Sequence, residues 1–167
     1  ELTIGLGVPR PKIQLVDIGG NTHCISTVDP GLDLTEKLQS CAQQQQVWLR
    51  QMSGYILKSR SPSCGRQGVQ VFSTDDSHRV DSGIFAARVQ TNNPLMPCVE
   101  EQQLTDMQNC QPFIRRVMAF HHWRLLPVLD RSTLRGFHRW LAELAPGLNE
   151  LPLYRDMEQQ LQQTADR

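Results

Sequence analysis

Residues 54–65 read GYILKSRSPSCG, a pattern that predicts a short apolar strand running into a polar loop. Proteins of the α/β class place their chemistry on loops at the ends of buried strands. Lys58 and Arg60 bring positive charge to this loop, and such charge would bias the thiol of Cys64 toward the reactive thiolate. Gly65 would allow a close approach of the backbone. The residues alone equally allow an ordinary turn with a buried structural cysteine.

The charges of the chain are balanced. Lys and Arg together number 17, as do Asp and Glu, in 167 residues. This balance gives no overall attraction to a nucleic acid polymer or a membrane surface. The sequence has no apolar run of the length that spans a membrane and shows no signal peptide. Because it begins with Glu1 and not Met, we expect the native start to lie further upstream.

The five cysteines are an odd number, with no Cys-x-x-Cys spacing among them. Such a set favours reduced thiols in a cytoplasmic protein over a disulfide framework. The cysteines are Cys24, Cys41, Cys64, Cys98 and Cys110.

Strand and helix signals alternate in the first part of the chain. Because alternation implies crossover connections, we predict an α/β fold, a small three-layer domain with a partly parallel sheet. The first two strands are predicted to form a hairpin, and Trp48 is expected in the core. The predicted strands are 12–18, 23–28, 55–57, 69–72 and 95–99, and the predicted helices are 34–52 and 83–90.

The composition changes at about residue 103, after which apolar residues recur at helical spacing. We therefore expect an α/β domain over residues 1–102 and an all-helical C-terminal segment over residues 103–167. Ser132 is expected to cap the helix that it precedes. The predicted helices are 104–126, 132–144 and 152–164.

Two polar groups outside the loop are candidate cation sites. The charged loop 73–82 contains acids and a histidine, but an exposed loop is the favoured interpretation. Adjacent His121 and His122 point to different faces of a helix and cannot chelate together. His122 and His138 could meet across two helices, which is the less favoured interpretation. The loop cluster consists of Asp75, Asp76, His78 and Asp81.

Arg10 lies between Pro9 and Pro11, which restrict the backbone and fix the direction of its guanidinium. A preset arginine suits an anionic ligand. An arginine that is solvated or paired within the protein is the alternative.

Four ordered blocks of the sequence match one family pattern. The first is Ile56-Leu57-Lys58-x-x-Ser61-Pro62-Ser63-Cys64-Gly65. The others are Glu1-x-x-Ile4-Gly5-Leu6-Gly7-Val8-Pro9-Arg10-Pro11, Asp33-Leu34-Thr35, and Gly83-Ile84-Phe85 with Pro97 and Glu100-Glu101. Over about residues 1–101 the chain thus resembles the TudS-type thiouracil desulfidase family. Residues 109–123 resemble the junction into the YbgA-type helical domain that often follows it.

The resemblance implies an enzyme with a [4Fe-4S] cluster that removes sulfur from thiolated pyrimidines by hydrolysis, without net redox change. In the family three cysteines hold the cluster and one iron stays open to capture the sulfur. Only Cys64 matches one of these ligands, and the other two would precede Glu1. The resemblance therefore implies an N-terminally truncated chain that cannot assemble the cluster alone. The remaining cysteines match no ligand, and we expect them to be small hydrophobic side chains.

Two sets of functional residues follow from the matching blocks. Apart from Gly65, we expect them to converge on one pocket around Cys64, because an anionic nucleotide needs fixed cationic and hydroxyl donors. The expected substrate is a small thiopyrimidine or thionucleotide. The catalytic set is Cys64, Lys58 and Ser63, with Cys64 also the metal ligand, and the substrate-binding set is Arg10, Ser61, Gly65 and Glu1.

Two functions remain open from the sequence. The first is the cluster-dependent desulfidase. The second is a degenerate regulatory or interaction module that keeps the fold without the cluster. Cysteine motifs just upstream of Glu1 would support the enzyme, and their absence would support the module.

Overall fold

The computed structural model describes residues 4–7, 9–73, 79–126 and 130–144, together with the helical positions 155, 159 and 163. It confirms the α/β class and the helical segment after the sheet region. The strands are β1 (Ile13–Ile18), β2 (Asn21–Ser26), β3 (Tyr55–Leu57), β4 (Val69–Phe72), β5 (Arg79–Asp81) and β6 (Cys98–Glu100). The helices are α1 (Thr35–Gln44), α2 (Gln46–Leu49), α3 (Ile84–Asn92), α4 (Met107–Arg124) and α5 (Arg131–Leu144).

The strands lie in two sheets, each with one parallel pair. The larger sheet has the order β2-β1-β4-β5, in which β1 and β4 are parallel and the other pairs antiparallel. The smaller sheet is the parallel pair of β3 and β6. Strands β3 and β4 are consecutive in the chain but lie in different sheets. The expected parallel pairing is present, although it is divided between two sheets.

The hairpin of β1 and β2 is confirmed. Its turn is formed by Gly19 and Gly20, whose φ angles are 61° and 82°. Both angles lie in the left-handed region that glycine adopts without strain. The turn sets a register in which Leu15 lies opposite Cys24, and both side chains are buried.

The predicted helix over 34–52 is present in two parts and ends at Leu49. It divides into α1 and α2 at Gln45, and Trp48 is 60% exposed instead of lying in the core. Gln46 takes the inward position and exchanges amide hydrogen bonds with Asn93 at 2.9 and 3.2 Å. The buried face of the helix therefore includes Gln46, whose polar side chain is hydrogen-bonded, while Trp48 faces solvent.

The predicted charged loop over 73–82 contains strand β5. Arg79 anchors this strand by an ion pair with Asp17, at 2.9 Å, and Asp81 accepts a hydrogen bond from Thr22 at 2.6 Å. Asp81 is thus held within the larger sheet. The other members of the proposed cation cluster, Asp75, Asp76 and His78, lie outside the described residues.

The helical segment consists of α4 and α5. Asp130 accepts a hydrogen bond from the Thr133 amide at 2.7 Å, so Asp130 and not Ser132 caps α5. The His122 ring stacks on Trp140, with centroids 4.3 Å apart, which gives this histidine a packing role. The predicted helix over 152–164 falls largely outside the described residues. No helix in the described ranges is long and apolar enough to cross a membrane.

The buried side chains form three clusters that meet at shared aromatic residues. The first lies between the larger sheet and α1, and the second lies among α1, α2, α3 and the smaller sheet. Phe85 packs against both of these clusters. Phe120 joins the second to the third, between α4 and α5. Because Phe85 and Cys64 line one cavity, the loop after β3 lies beside the junction of the first two clusters.

Candidate active site

The loop that carries Cys64 is fixed to the N-terminus of α3. The amide of Gly83 donates to the carbonyl of Gly65 at 2.8 Å, and the amide of Ala86 donates to the carbonyl of Ser63 at 3.1 Å. Ile84 donates in the same way to Pro62, also at 3.1 Å. The free amides of the first helical turn thus find their acceptors in this loop. These bonds hold the loop against a rigid element.

Two glycines allow this close packing. A Cβ atom at Gly83 would lie 2.5 Å from the Ser63 carbonyl carbon and 2.7 Å from the Cys64 nitrogen. A Cβ atom at Gly65 would overlap Val69 and would lie 2.9 Å from the Ser61 oxygen. Close packing within the protein therefore explains why a glycine stands at position 65, which was expected to bind substrate. Sequence reasoning singled out Gly83 only as part of a matching block.

The hydroxyl groups of the loop converge on the thiol. Ser63 Oγ donates to Cys64 Sγ at 3.4 Å and lies 3.1 Å from Ser61 Oγ. The Cys64 amide donates to Ser61 Oγ at 3.2 Å. Hydrogen bonds thus link Ser61, Ser63 and Cys64, and Ser61 contacts the other two.

The Cys64 thiol lines a cavity of about 230 Å³. Its lining also includes Arg10, whose guanidinium donates to the Pro11 carbonyl at 3.0 Å. The structure therefore brings three of the expected residues, Arg10, Ser63 and Cys64, to one cavity. Glu1 lies outside the described residues. The full lining is Ile4, Leu6, Arg10, Ile13, Leu38, Cys41, Tyr55, Ser63, Cys64 and Phe85.

Lys58 does not line this cavity. Its side chain is 72% exposed, and its Nζ atom lies 2.5 Å from Glu101 Oε1. Ser59 donates to the same carboxylate through its amide at 2.6 Å and its hydroxyl at 2.7 Å. The strand register explains this ion pair. Leu57 lies opposite Glu100 in the parallel pair. The residues that come next, Lys58 and Glu101, are therefore neighbours too. The expected convergence thus does not include the lysine.

The Glu101 carboxylate gives a testable pH dependence. Its hydrogen bonds, first from Lys58 and then from Ser59, lower its pKa from 4.5 to about 2. A lowered pKa means that the carboxylate stabilises the fold above pH 4.5, and that this contribution is lost as the pH falls toward 2. We expect Lys58→Ala to raise the pKa of Glu101 toward its ordinary value, measured by NMR titration of the carboxyl carbon. The exposed Lys37→Ala serves as control, and an unchanged pKa in the Lys58 variant would contradict the ion pair.

Sequence reasoning missed seven of the ten lining residues, among them Cys41, Tyr55 and Phe85. Cys41 was expected to be an ordinary small hydrophobic side chain, but it lines the same cavity as Cys64. Tyr55 and Phe85 line it too, from β3 and α3. All three belong to apolar patterns, which carry no signal of a cavity. By contrast Cys24 is buried in the core, and burial, with the nearby charge of Asp33, raises its pKa to about 12.

The described residues include no group of three or more His, Cys, Asp or Glu side chains arranged to hold a metal ion. Cys64 is half-buried, forms no disulfide and faces the cavity, so its thiolate fits the role of a single soft ligand. Among the described residues Cys64 is thus a candidate ligand, and no complete metal site is found there.

A family model described as 2-thiouracil desulfurase matches residues 1–101. No curated protein and no solved structure matches the chain. The matched region contains the whole cavity lining and ends before α4. The resemblance of residues 109–123 to a YbgA-type junction stays a prediction.

Proposed function

This chain belongs to the 2-thiouracil desulfurase family, and we propose that it removes sulfur from a thiolated pyrimidine bound in the Cys64 cavity. One observation of the structure supports this location. A thiol, a hydroxyl and a guanidinium line the same cavity within the matched region. Membership of the family favours the enzyme over the degenerate module.

The size of the cavity suits a single ring. A volume of 230 Å³ is room for about eight water molecules, at roughly 30 Å³ each. A thiouracil ring with its exocyclic oxygen and sulfur has eight non-hydrogen atoms and fits within that volume. The sugar and phosphate of a thionucleotide would extend beyond the cavity. Its lining is mostly apolar with a few polar groups, as is usual for small-molecule sites.

The proposed reaction is hydrolysis. The oxygen of a water molecule adds to the ring carbon, the carbon–sulfur bond breaks, and the sulfur leaves as hydrosulfide with one of the two water protons. The other proton passes to solvent, and no net oxidation occurs. Negative charge develops on the sulfur in this step, and a preset cation stabilises such charge. Arg10 supplies that cation, because its guanidinium is held beside the cavity by the Pro11 carbonyl. Ser63 orients the Cys64 sulfur through its hydroxyl.

The cofactor that the family resemblance implies is a [4Fe-4S] cluster held by thiolates. Cys64 is the residue of this chain that would ligate it. The described residues do not complete such a site, since only one of the cysteines occupies a family ligand position and no three-ligand group is found among them. We propose that the remaining ligands come from outside these residues.

The proposal is tested with the complete protein as its gene encodes it, reconstituted anaerobically with iron and sulfide. We expect it to convert 4-thiouracil to uracil and to release an equimolar amount of sulfide. The loss of the thiocarbonyl absorbance and a sulfide assay measure the two products. A protein that holds a cluster but leaves 2-thiouracil, 4-thiouracil and 4-thiouridine monophosphate intact would show that the substrate class is wrong.

A further inference from the structure

The polar groups that line the Cys64 cavity differ in whether they have partners within the protein. Ser63 Oγ is bonded to Cys64 Sγ and to Ser61, and Arg10 donates to the Pro11 carbonyl. The Tyr55 hydroxyl makes no hydrogen bond within the part of the chain that the structure describes. A half-buried phenol normally finds a hydrogen-bond partner. The Tyr55 hydroxyl is therefore a donor of the cavity that is available to a bound molecule.

The place of Tyr55 in the fold is fixed. It is the first residue of β3, its amide donates to the Pro97 carbonyl at 2.9 Å, and it lies opposite Cys98 in the smaller sheet. Its ring packs against the second core cluster, which includes Leu57 and Cys98. A donor on a strand with a packed ring is held in place more closely than one on a loop.

The hydroxyl keeps its proton at neutral pH. Burial raises the pKa of Tyr55 above 10, and the nearby thiol groups of Cys64, Cys41 and Cys98 raise it further. A neutral phenol beside these sulfur atoms donates a hydrogen bond to an acceptor and does not act as a base.

We infer that Tyr55 is a substrate-binding residue, whose hydroxyl donates a hydrogen bond to an exocyclic oxygen of the pyrimidine in the cavity. This inference rests on the proposed function. It adds a specificity element, because a ring without an exocyclic acceptor would leave the phenol unpaired. Discrimination of this kind exceeds what the apolar walls provide.

The test is Tyr55→Phe in the complete, reconstituted protein, because this change keeps the ring and removes only the donor. We expect KM for 4-thiouracil to rise about tenfold with kcat nearly unchanged, as for an interaction that binds substrate and transition state alike. The affinity for uracil, measured by calorimetry, should fall by the same factor. Tyr154→Phe removes the hydroxyl of the only other tyrosine in the sequence and should leave both quantities unchanged.

A second ligand separates binding from structure. Pyrimidine has the same ring without exocyclic acceptors, so the Tyr55→Phe protein should bind it as the wild-type protein does. If the Tyr55→Phe protein loses affinity equally for uracil and pyrimidine, or loses none for uracil, the inference is overturned. Sulfide release by the wild-type protein would still uphold the proposed function. A wild-type protein that neither binds nor desulfurates any thiopyrimidine would refute the proposed function and the inference together.

Discussion

Replacing Cys64 by serine in the complete protein is expected to lower sulfide release from 4-thiouracil by more than about 100-fold. Mutating a residue that hydrogen-bonds to a metal ligand typically lowers metal affinity or activity about 10–100-fold. Replacing the ligand itself should lower them further. A hydroxyl is a poor ligand for iron in place of a thiolate, so the iron content should fall with the activity. Iron analysis, the visible absorbance of the cluster and the sulfide assay measure the effect.

Cys110→Ser is the matched control for this change. Cys110 is a half-buried, unpaired cysteine at the start of α4, and it does not line the cavity. We expect this variant to keep both iron and activity. A Cys64→Ser protein with full iron content and normal sulfide release would show that the chemistry lies elsewhere in the molecule.

Gly83→Ala is expected to destabilise the protein and to reduce its activity. The added methyl group would meet the backbone of Ser63 and Cys64 at 2.5–2.7 Å, and backbone cannot move aside as a flexible side chain can. Overpacking of this kind costs about 1–3 kcal/mol in the free energy of unfolding. Because the loop must shift from α3, kcat/KM should fall as well. Denaturant unfolding and the sulfide assay measure the two effects.

Gly136 provides the control for Gly83. It lies within α5, and a Cβ atom there would meet no atom within 4 Å. Since alanine is favoured over glycine in a helix by about 1 kcal/mol, Gly136→Ala should not reduce the stability. If Gly83→Ala unfolds at the same denaturant concentration as the wild-type protein and keeps its activity, the close packing of loop and helix is wrong.

The sequence was sufficient to identify the loop and its class of fold, because these depend on local patterns. The strand and the polar loop before Gly65 were visible as a change from apolar to polar residues. The hairpin was visible in Gly19 and Gly20, which permit one kind of turn. Fold class followed from the alternation of strands and helices, which does not depend on how any single side chain points.

The orientation of individual side chains could not be predicted. Lys58 was expected beside Cys64, but the parallel register of β3 and β6 places it beside Glu101, and register is a long-range property. Trp48 was expected in the core because of its type, whereas the buried amide of Gln46 turns it outward. Tyr55 was assigned to an apolar strand, and only the packing of α1 and α3 around it creates the cavity that it lines.

Photocross-linking with 4-thiouracil tests most directly whether the Cys64 cavity is the substrate site. The thiocarbonyl group reacts with neighbouring side chains on near-ultraviolet irradiation, and mass spectrometry identifies the modified peptides. We expect the adducts on the peptides that carry Tyr55, Cys64 and Phe85, and we expect excess uracil to suppress them. Adducts confined to the 490 Å³ groove that includes Met52 and Trp123 would contradict the assignment of the site.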